Sequence, residues 1–569
     1  MNITRNLTAA ALIFLIFLMI PIYLDFIGVY PEELEVPHEN NVVVSPTMHE
    51  PMAQNNISSA EVYTKNIDEE IIYIQTNLMD LALSNRAGGS LLQYRLVGRD
   101  NQESLKYVGS YDEMGEYNSQ EPVLLHSDLA SNGCSPCISL DNRSILINMP
   151  FVLMTPIENK TISLSGDQKL QLHYQYKNEL GDFVDKYITI QGDSYNIAST
   201  INFNLSKKYV NKNIELSWLS GIMPAEKMEA DELSYSGAYI SSGGDLESIT
   251  QSSVKNIDPS IYNEESVDWF AIRNKFFAIS MFPKTKADYA ILSSTNGSFG
   301  GRQITPIYEA SLGYNLTSGS LEFLTYLGPL DVDLVSDFNP DLELIMNFGW
   351  SIIKPFSKLV VWILKTMRDS MGINYGVILI FFALLMRIVM GPLTRKGYES
   401  SLKMKTVAPL QKEIQEKYKN DPARLQQELG KLWKKHGFNP AMSCIAPLLQ
   451  MPLLMSFFIV FRSTVEFRGQ PFFLWIQDLS QPDYIFSLPF SIPLYGSSVA
   501  ILPILMGISM FLTMRVSMQS AEDSQKYIMY FMNGFFILIF NTFPSGLTLY
   551  YTVYNFLSYQ QQLSIKKNS

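Results

Sequence analysis

Six stretches of the chain are almost continuously apolar: about 7–24, 372–393, 441–461, 499–518, 527–543 and 546–565. Crossing ~30 Å of hydrocarbon takes roughly 17 to 25 residues of helix, because no water is present to satisfy bare backbone groups. The pattern therefore predicts six membrane helices. The stretch 527–543 is the shortest, and ~26 Å of helix there would thin the bilayer beside it. A seventh stretch, 342–367, is interrupted by Lys354, Lys358, Lys365 and Arg368 at helical spacing, opposite Ile352, Ile353, Phe356, Val360 and Leu364. That division predicts an amphipathic helix lying in the membrane interface rather than a further span.

Between the first two spans the period changes. Residues 170–176 and 187–191 alternate apolar and polar, and short apolar runs separated by Gly and Asn recur from about Glu61 to Leu324. Such a pattern predicts strands, here one large all-β sandwich. The chain thus divides into an anchor (1–28), a polar tether (29–60), the β domain (61–340), the interfacial helix (341–370) and the second span (371–394). A cytoplasmic segment (395–439), four more spans (440–565) and a short tail (566–569) complete it. In 395–439, Met404, Val407, Leu410, Ile414 and Tyr418 recur at three or four residues, as do Leu425, Leu429 and Leu432 with Trp433. Asn420-Asp421-Pro422 separates the two sets, and Gly437 follows the second. A helical hairpin is implied, with Asp421 as cap and Pro422 in the first turn.

Charge orients this arrangement. Residues 30–343 carry 20 Lys and Arg against 43 Asp and Glu, whereas 395–439 carry 11 against 5. Basic loops stay in the cytoplasm, so the acidic β domain is outside and both termini are inside; Lys566 and Lys567 agree. Arg5 precedes the first apolar run, but no small-residue cleavage site follows it, and the run reads as a retained anchor. The N-terminus has no Arg-rich amphipathic helix for mitochondrial import, which leaves a bacterial inner membrane as the expected location. The excess of positive charge in the hairpin serves either to fix topology or to dock acidic chains or ribosomal RNA.

Several chemistries are excluded. Gly430-Lys431 is followed by Leu432 with no glycine at the required distance before it, so there is no phosphate-binding loop for ATP. His38, His49, His126, His173 and His436 all lie outside the spans, which deprives an intramembrane protease of its base or its zinc ligands. No metal or cofactor site and no DNA partner is expected, and the chain does not read as an enzyme. Cys134-Ser-Pro-Cys137 has three readings: a local disulfide, a redox pair or half a metal site. The disulfide is favoured, since no second cysteine pair exists and the surroundings are not thioredoxin-like. Cys444 lies in a span and reads as packing.

Arg387 is the most informative residue. It stands eight residues before Arg395, about 12 Å inside the cytoplasmic end of its helix. An arginine there costs ~2.5–3.5 kcal/mol near the membrane centre, less if it snorkels outward. In the last span Thr548, Tyr551, Thr552, Asn555, Tyr559 and Gln562 share one arc, and Gln450 adds a polar group to the third span. Helix packing and an interfacial aromatic belt explain part of that stripe. A water-filled cavity lined by Arg387, Gln450 and the stripe explains all of it. A solute transporter or channel is the alternative reading, but there is no internal repeat and no intramembrane Asp or Glu to carry ions. A passive scaffold is the third.

Five segments taken in order resemble the YidC family of membrane protein insertases: Gly391-Pro-Leu-Thr394, Asn439-Pro440 with Pro447-Leu-Leu-Gln-Met-Pro452, Leu474-Trp-Ile-Gln-Asp-Leu479, Pro503-Ile-Leu-Met-Gly507, and Phe543-Pro-Ser-Gly-Leu547 with Tyr550-Tyr551. Asn374-Tyr-Gly376 joins them, and the β domain resembles the Gram-negative form. The resemblance implies a five-helix core around a hydrophilic groove, with Arg387 as its arginine, Gln450 lining it and Tyr551 contacting substrate. It implies nascent membrane proteins as clients, and the Sec translocon and, transiently, the ribosome as partners. The chain departs from the family pattern in its short tail, Lys566-Lys567-Asn568-Ser569, which is expected to weaken ribosome docking, and in a longer outer loop at 484–498.

Overall fold

A computed structural model describes residues 67–568, apart from 99–104, 129–133, 178–180, 206–212, 252–259, 263–265, 438–439, 518–522 and the single positions 113, 141, 144, 317 and 494. The expected anchor and tether lie outside the described residues. Those described fall into two units that divide between Met346 and Asn347.

Two-residue alternation builds the first unit. In Lys169–Lys177 the side chains of Leu172, Tyr174 and Tyr176 are buried, and Phe183–Gln191 repeats the period with Val184, Ile188 and Ile190 inward. The two strands pair antiparallel and continue through Asn196–Asn204 and Ser318–Pro329 into a nine-stranded sheet. A six-stranded sheet contains Tyr289–Phe299, Arg302–Tyr314, Ile214–Trp218 and Cys137–Leu140, and a second is centred on Met79–Ser84 and Ser90–Leu96. Tyr94, Trp218, Trp269 and Phe270 are fully enclosed, so the unit has a genuine apolar core of its own. Short helices α1 (Glu229–Leu233) and α2 (Val332–Phe338) decorate it.

One inward place in the Phe183–Gln191 alternation is taken by Lys186, which is 1% exposed. Its Nζ donates to the carbonyls of Ala87 (3.3 Å) and Pro136 (3.2 Å), the latter between Cys134 and Cys137, which are joined as a disulfide. Burial lowers the amine to about 7. Below that pH folded and unfolded chains both hold the proton, and the burial cost is borne in full. Between about 7 and the ~10.4 of a free lysine the unfolded chain holds a proton that the folded one has released, so stability rises with pH. Lys186→Met should raise the urea midpoint of this unit at pH 6 and flatten its rise above pH 7, read by proteolysis of the full chain in detergent. An equally steep rise in the variant would show that Lys186 is not the titrating group.

The second unit is helical, and its boundaries depart from the sequence expectation in three places. The interfacial helix starts late: Pro340–Ile345 closes as a 3-10 turn, the Asn347 side chain accepts from Gly349 N (3.0 Å), and α3 spans only Lys354–Met371. It buries Ser357, Val360, Val361 and Leu364, but Ile352 and Phe356, expected on that face, are exposed. Leu359 and Trp362 are exposed too, so apolar side chains lie on more than the one face expected, and Lys365, expected to face outward, turns to Glu466 (3.3 Å).

The expected second span (371–394) and the first helix of the expected hairpin (395–439) are one element, since α4 runs unbroken from Tyr375 to Lys417 through Pro392 and Pro409. The Thr394 hydroxyl donates to the carbonyls of Met390 (3.0 Å) and Gly391 (3.1 Å) of its own helix. Helix α5 (Pro422–Lys435) folds back on α4, with Val407 and Leu432 buried together among Leu410, Ile414 and Trp433. Asp421 caps it by accepting from Arg424 N, and Gly437 adopts φ +56° beyond its end.

Helices α6 (Pro440–Ser463), α7 (Leu502–Ser517), α8 (Asp523–Phe540) and α9 (Ser545–Asn568) complete the unit. The span expected to begin at Val499 begins at Leu502 instead, because Gly496–Ala500 pairs with Tyr484–Ile492 as a β-hairpin. Its 16 residues rise ~24 Å, so the shortest of these helices is α7 rather than the one that follows it. Among the described residues one helix, over Tyr375–Pro392, is long and apolar enough by itself to cross a bilayer; the apolar lengths Pro452–Ser463, Leu502–Val516 and Lys526–Phe540 are shorter. Length and apolarity alone thus do not reproduce the six spans that hydropathy predicts.

Candidate substrate-contact site

The ends of α4 and α9 are fixed by their backbone partners, and this sets which side chains meet between them. Asn374 caps α4 by accepting from Gly376 N (2.7 Å) and donates to the Pro471 carbonyl (2.5 Å). Gly376 is required here, since a Cβ would stand 2.1 Å from Phe472. At α9, Ser545 N donates to Gln481 O (2.8 Å), Gly546 N to Leu479 O (2.9 Å) and the Ser545 hydroxyl to Asp478 O (2.8 Å). The Pro-Ser-Gly turn thereby docks α9 on the 478–481 loop.

That docking seats an aromatic cluster. Phe457 of α6 lies 4.6 Å from Tyr550 and 6.5 Å from Tyr551, and Phe382 of α4 lies 5.5 Å from Phe457, ring centre to ring centre. One turn further along α9, the ring of Tyr554 sits 5.6 Å from the Arg387 guanidinium. Arg387 Nη2 donates to Gln561 Oε1, a second α9 residue two turns on. The other two guanidinium nitrogens, Nε and Nη1, are buried and have no hydrogen-bond partner among the described residues. This arginine is therefore held by one edge and by a ring face, and keeps donor capacity unspent.

Two family models cover most of the region after residue 149. One described as "60Kd inner membrane protein" matches residues 366–569, and one described as "YidC periplasmic domain" matches residues 150–363. A curated protein named membrane protein insertase YidC, from Chlorobaculum parvum, is 35% identical over 71% of this chain and 70% of its own length. The chain belongs to the YidC family of membrane protein insertases. A second YidC, from Chlorobium phaeovibrioides, is 36% identical over 72% of this chain and 70% of its own. A solved structure titled as an active YidC insertase with its first transmembrane domain resolved aligns over 89% of this chain and 94% of that one, at 18% identity and a TM-score of 0.34. The protein is accordingly an inner-membrane protein with a periplasmic domain.

For a YidC-family chain the residues expected at the site are distributed unevenly. Tyr551 is buried in the aromatic cluster, and Thr548, also buried, spends its hydroxyl on its own helix, donating to Ser545 O (3.1 Å). Thr552 is half-buried and donates to Thr548 O (2.7 Å). Asn555 is half-buried, and its carbonyl accepts from the Thr513 hydroxyl of α7 (3.1 Å). Gln450 belongs to α6, but its side chain is outside the described residues. The residues that touch Arg387, Tyr554 and Gln561, were not expected from the sequence. Their spacing of seven is the available signal: it places both on one face of α9, to the side of the 548–551–555 stripe. Cys134 and Cys137 lie in the periplasmic unit, buried beside Ala87.

Proposed function

We propose that this protein receives the polar end of a nascent membrane protein at Arg387 while the client's apolar helix passes along α6 and α8 into lipid. The observation that carries the reading is the pair of unpartnered donors on Arg387, held between α4 and α9. A carboxylate or a bare backbone carbonyl of a client satisfies such donors, and at this depth the interaction is stronger than in water. The exposed Met529 and the half-buried Met455 and Met532 give the exit surface an adaptable apolar lining suited to many sequences. Burial of the client's apolar surface at ~25 cal/mol per Å² drives completion without a nucleotide.

The same reading makes α4, α6, α7, α8 and α9 membrane spans, with the N-terminal apolar stretch as a sixth. It places both termini in the cytoplasm, where the basic α4–α5 hairpin faces the ribosome transiently and the Sec translocon lies alongside. Its positive charge is what supports that placement. A photoreactive residue at Thr552 or Asn555 should crosslink to stalled nascent membrane proteins, whereas one at the outward-facing Trp362 should not. Equal labelling from all three positions, or solute flux through the protein in vesicles without a client, would favour a channel instead.

A further inference from the structure

The hairpin Tyr484–Ile492 and Gly496–Ala500 has no place in the mechanism above, yet it is built with care. Two buried polar side chains of the helical unit hold it. Asn541, at the end of α8, donates to Tyr495 O and Ser498 O (2.7 Å each) and accepts from Ala500 N (2.9 Å). Asp483, just before the hairpin, accepts from Trp475 Nε1 (2.9 Å) and from the amides of Ile501 (3.2 Å) and Leu502 (2.8 Å). The base of the hairpin is thus fixed to the ends of α7 and α8.

Its surface does not suit water. From Tyr484 to Ala500 there is no Asp, Glu, Lys or Arg. In sequence Tyr484, Phe486, Leu488, Phe490 and Ile492 alternate with Ile485, Ser487, Pro489 and Ser491, the pattern of a strand with one apolar face. In Phe183–Gln191 such a face is buried against a core, but here Tyr484, Ile485, Phe486 and Phe490 are exposed. A lone two-stranded sheet is marginal in water, and an exposed aromatic face makes it worse.

We propose that the hairpin is a membrane-inserted element, lying in the headgroup and upper acyl region beside the ends of α7 and α8. Lipid is the occupant because the segment is uncharged and aromatic, runs directly into apolar α7 and is hydrogen-bonded to the end of apolar α8. Aromatic side chains favour that zone, and the unpaired strand edges keep the hairpin out of the hydrocarbon centre. It would displace lipid next to the shortest helix, where the bilayer has to be thin.

The inference rests on α7 crossing the bilayer, so the test includes a position there. In a Cys444→Ala background, single cysteines replace Phe486, Phe490, Ile508 of α7, or Ser248 of the periplasmic unit. Each carries an environment-sensitive fluorophore in vesicles of phosphatidylethanolamine and phosphatidylglycerol, with nitroxides placed shallow or deep in the acyl chains. We expect the 486 and 490 probes to lose emission to shallow nitroxide, the 508 probe to deep nitroxide, and the 248 probe to neither. Quenching at 508 but not at 486 and 490 overturns the hairpin proposal and leaves the spanning helix intact. Blue-shifted emission at 490 that no lipid nitroxide quenches means a protein partner covers the hairpin, which also overturns it. An unquenched 508 probe removes the spanning helix and the proposal with it.

Discussion

Replacing Arg387 by Ala should lower insertion of clients with acidic tails by about ten- to hundred-fold, the factor that corresponds to a charge-assisted hydrogen bond of ~1.5–3 kcal/mol. The protein itself should not suffer. An arginine inside the bilayer costs ~2.5–3.5 kcal/mol near its centre, and the only donor spent inside the described structure is Nη2, on Gln561. The variant should therefore accumulate in the membrane and resist protease as the native chain does. Arg387→Lys keeps the charge but loses the planar fork and its stacking on Tyr554, so partial activity is expected. Gln561→Ala releases the guanidinium from one tether and should cost less than either. Insertion assays with paired clients, one with acidic residues in its translocated tail and one with those residues neutralised, separate the outcomes. Normal insertion of both by the Arg387→Ala protein would remove the arginine from the mechanism.

What the sequence could and could not deliver follows from the range of the interactions. Alternation in 170–176 and 187–191 marked two strands closely, because a two-residue period is a local signal. The Asp421-Pro422 start and Gly437 end of α5 were legible for the same reason. The Arg387–Gln561 contact joins residues 174 apart; the spacing of Tyr554 and Gln561 puts the two on one face of α9 but does not name their partner, and the polar stripe from Thr548 to Gln562 marks the neighbouring face. The change from apolar to basic composition after residue 394 divides a span from a hairpin, but helix α4 runs through that change without interruption. Apolarity places Val499 and Ala500 in the following span and 484–498 in an outer loop, whereas both residues belong to a strand whose partner lies earlier in the chain. The strand pairing of Gly496–Ala500 and the Arg387–Gln561 bond are tertiary contacts, which local periodicity does not report.

The second large effect belongs to the periplasmic unit and should leave insertion untouched. Glu215 is fully buried in Ile214–Trp218, paired with Ser139 of the neighbouring strand. Its two oxygens accept four hydrogen bonds: from Asn142 N (2.6 Å) and Tyr289 OH (2.8 Å) on one, and from the Ser139 hydroxyl (2.8 Å) and Arg143 N (2.9 Å) on the other. Asn142 and Arg143 stand at φ +54° and +64°, so the turn that supplies two of these donors adopts a conformation that ordinary residues resist. Arg143 then reaches back over the sheet to Ser311 (2.7 Å), Glu309 (3.1 Å) and the Ile291 carbonyl (2.8 Å). Glu215→Ala removes the acceptor, leaves the buried Tyr289 hydroxyl and the amides of Asn142 and Arg143 without it, and leaves Arg143 with one fewer counter-charge. Breaking a buried charged network in this way costs about 3–5 kcal/mol. Glu215→Gln keeps the volume and one acceptor oxygen but presents an amide where two donors point, so a smaller loss is expected. Urea-dependent proteolysis of the full chain in detergent should show the periplasmic unit opening at much lower urea in the Ala variant, with Gln between. If the core inserts clients independently of this unit's rigidity, the same Ala protein will retain insertion in vesicles at temperatures where its periplasmic unit is folded, and lose little where it is not. A parallel fall in both measurements would instead tie the β unit to the insertion step.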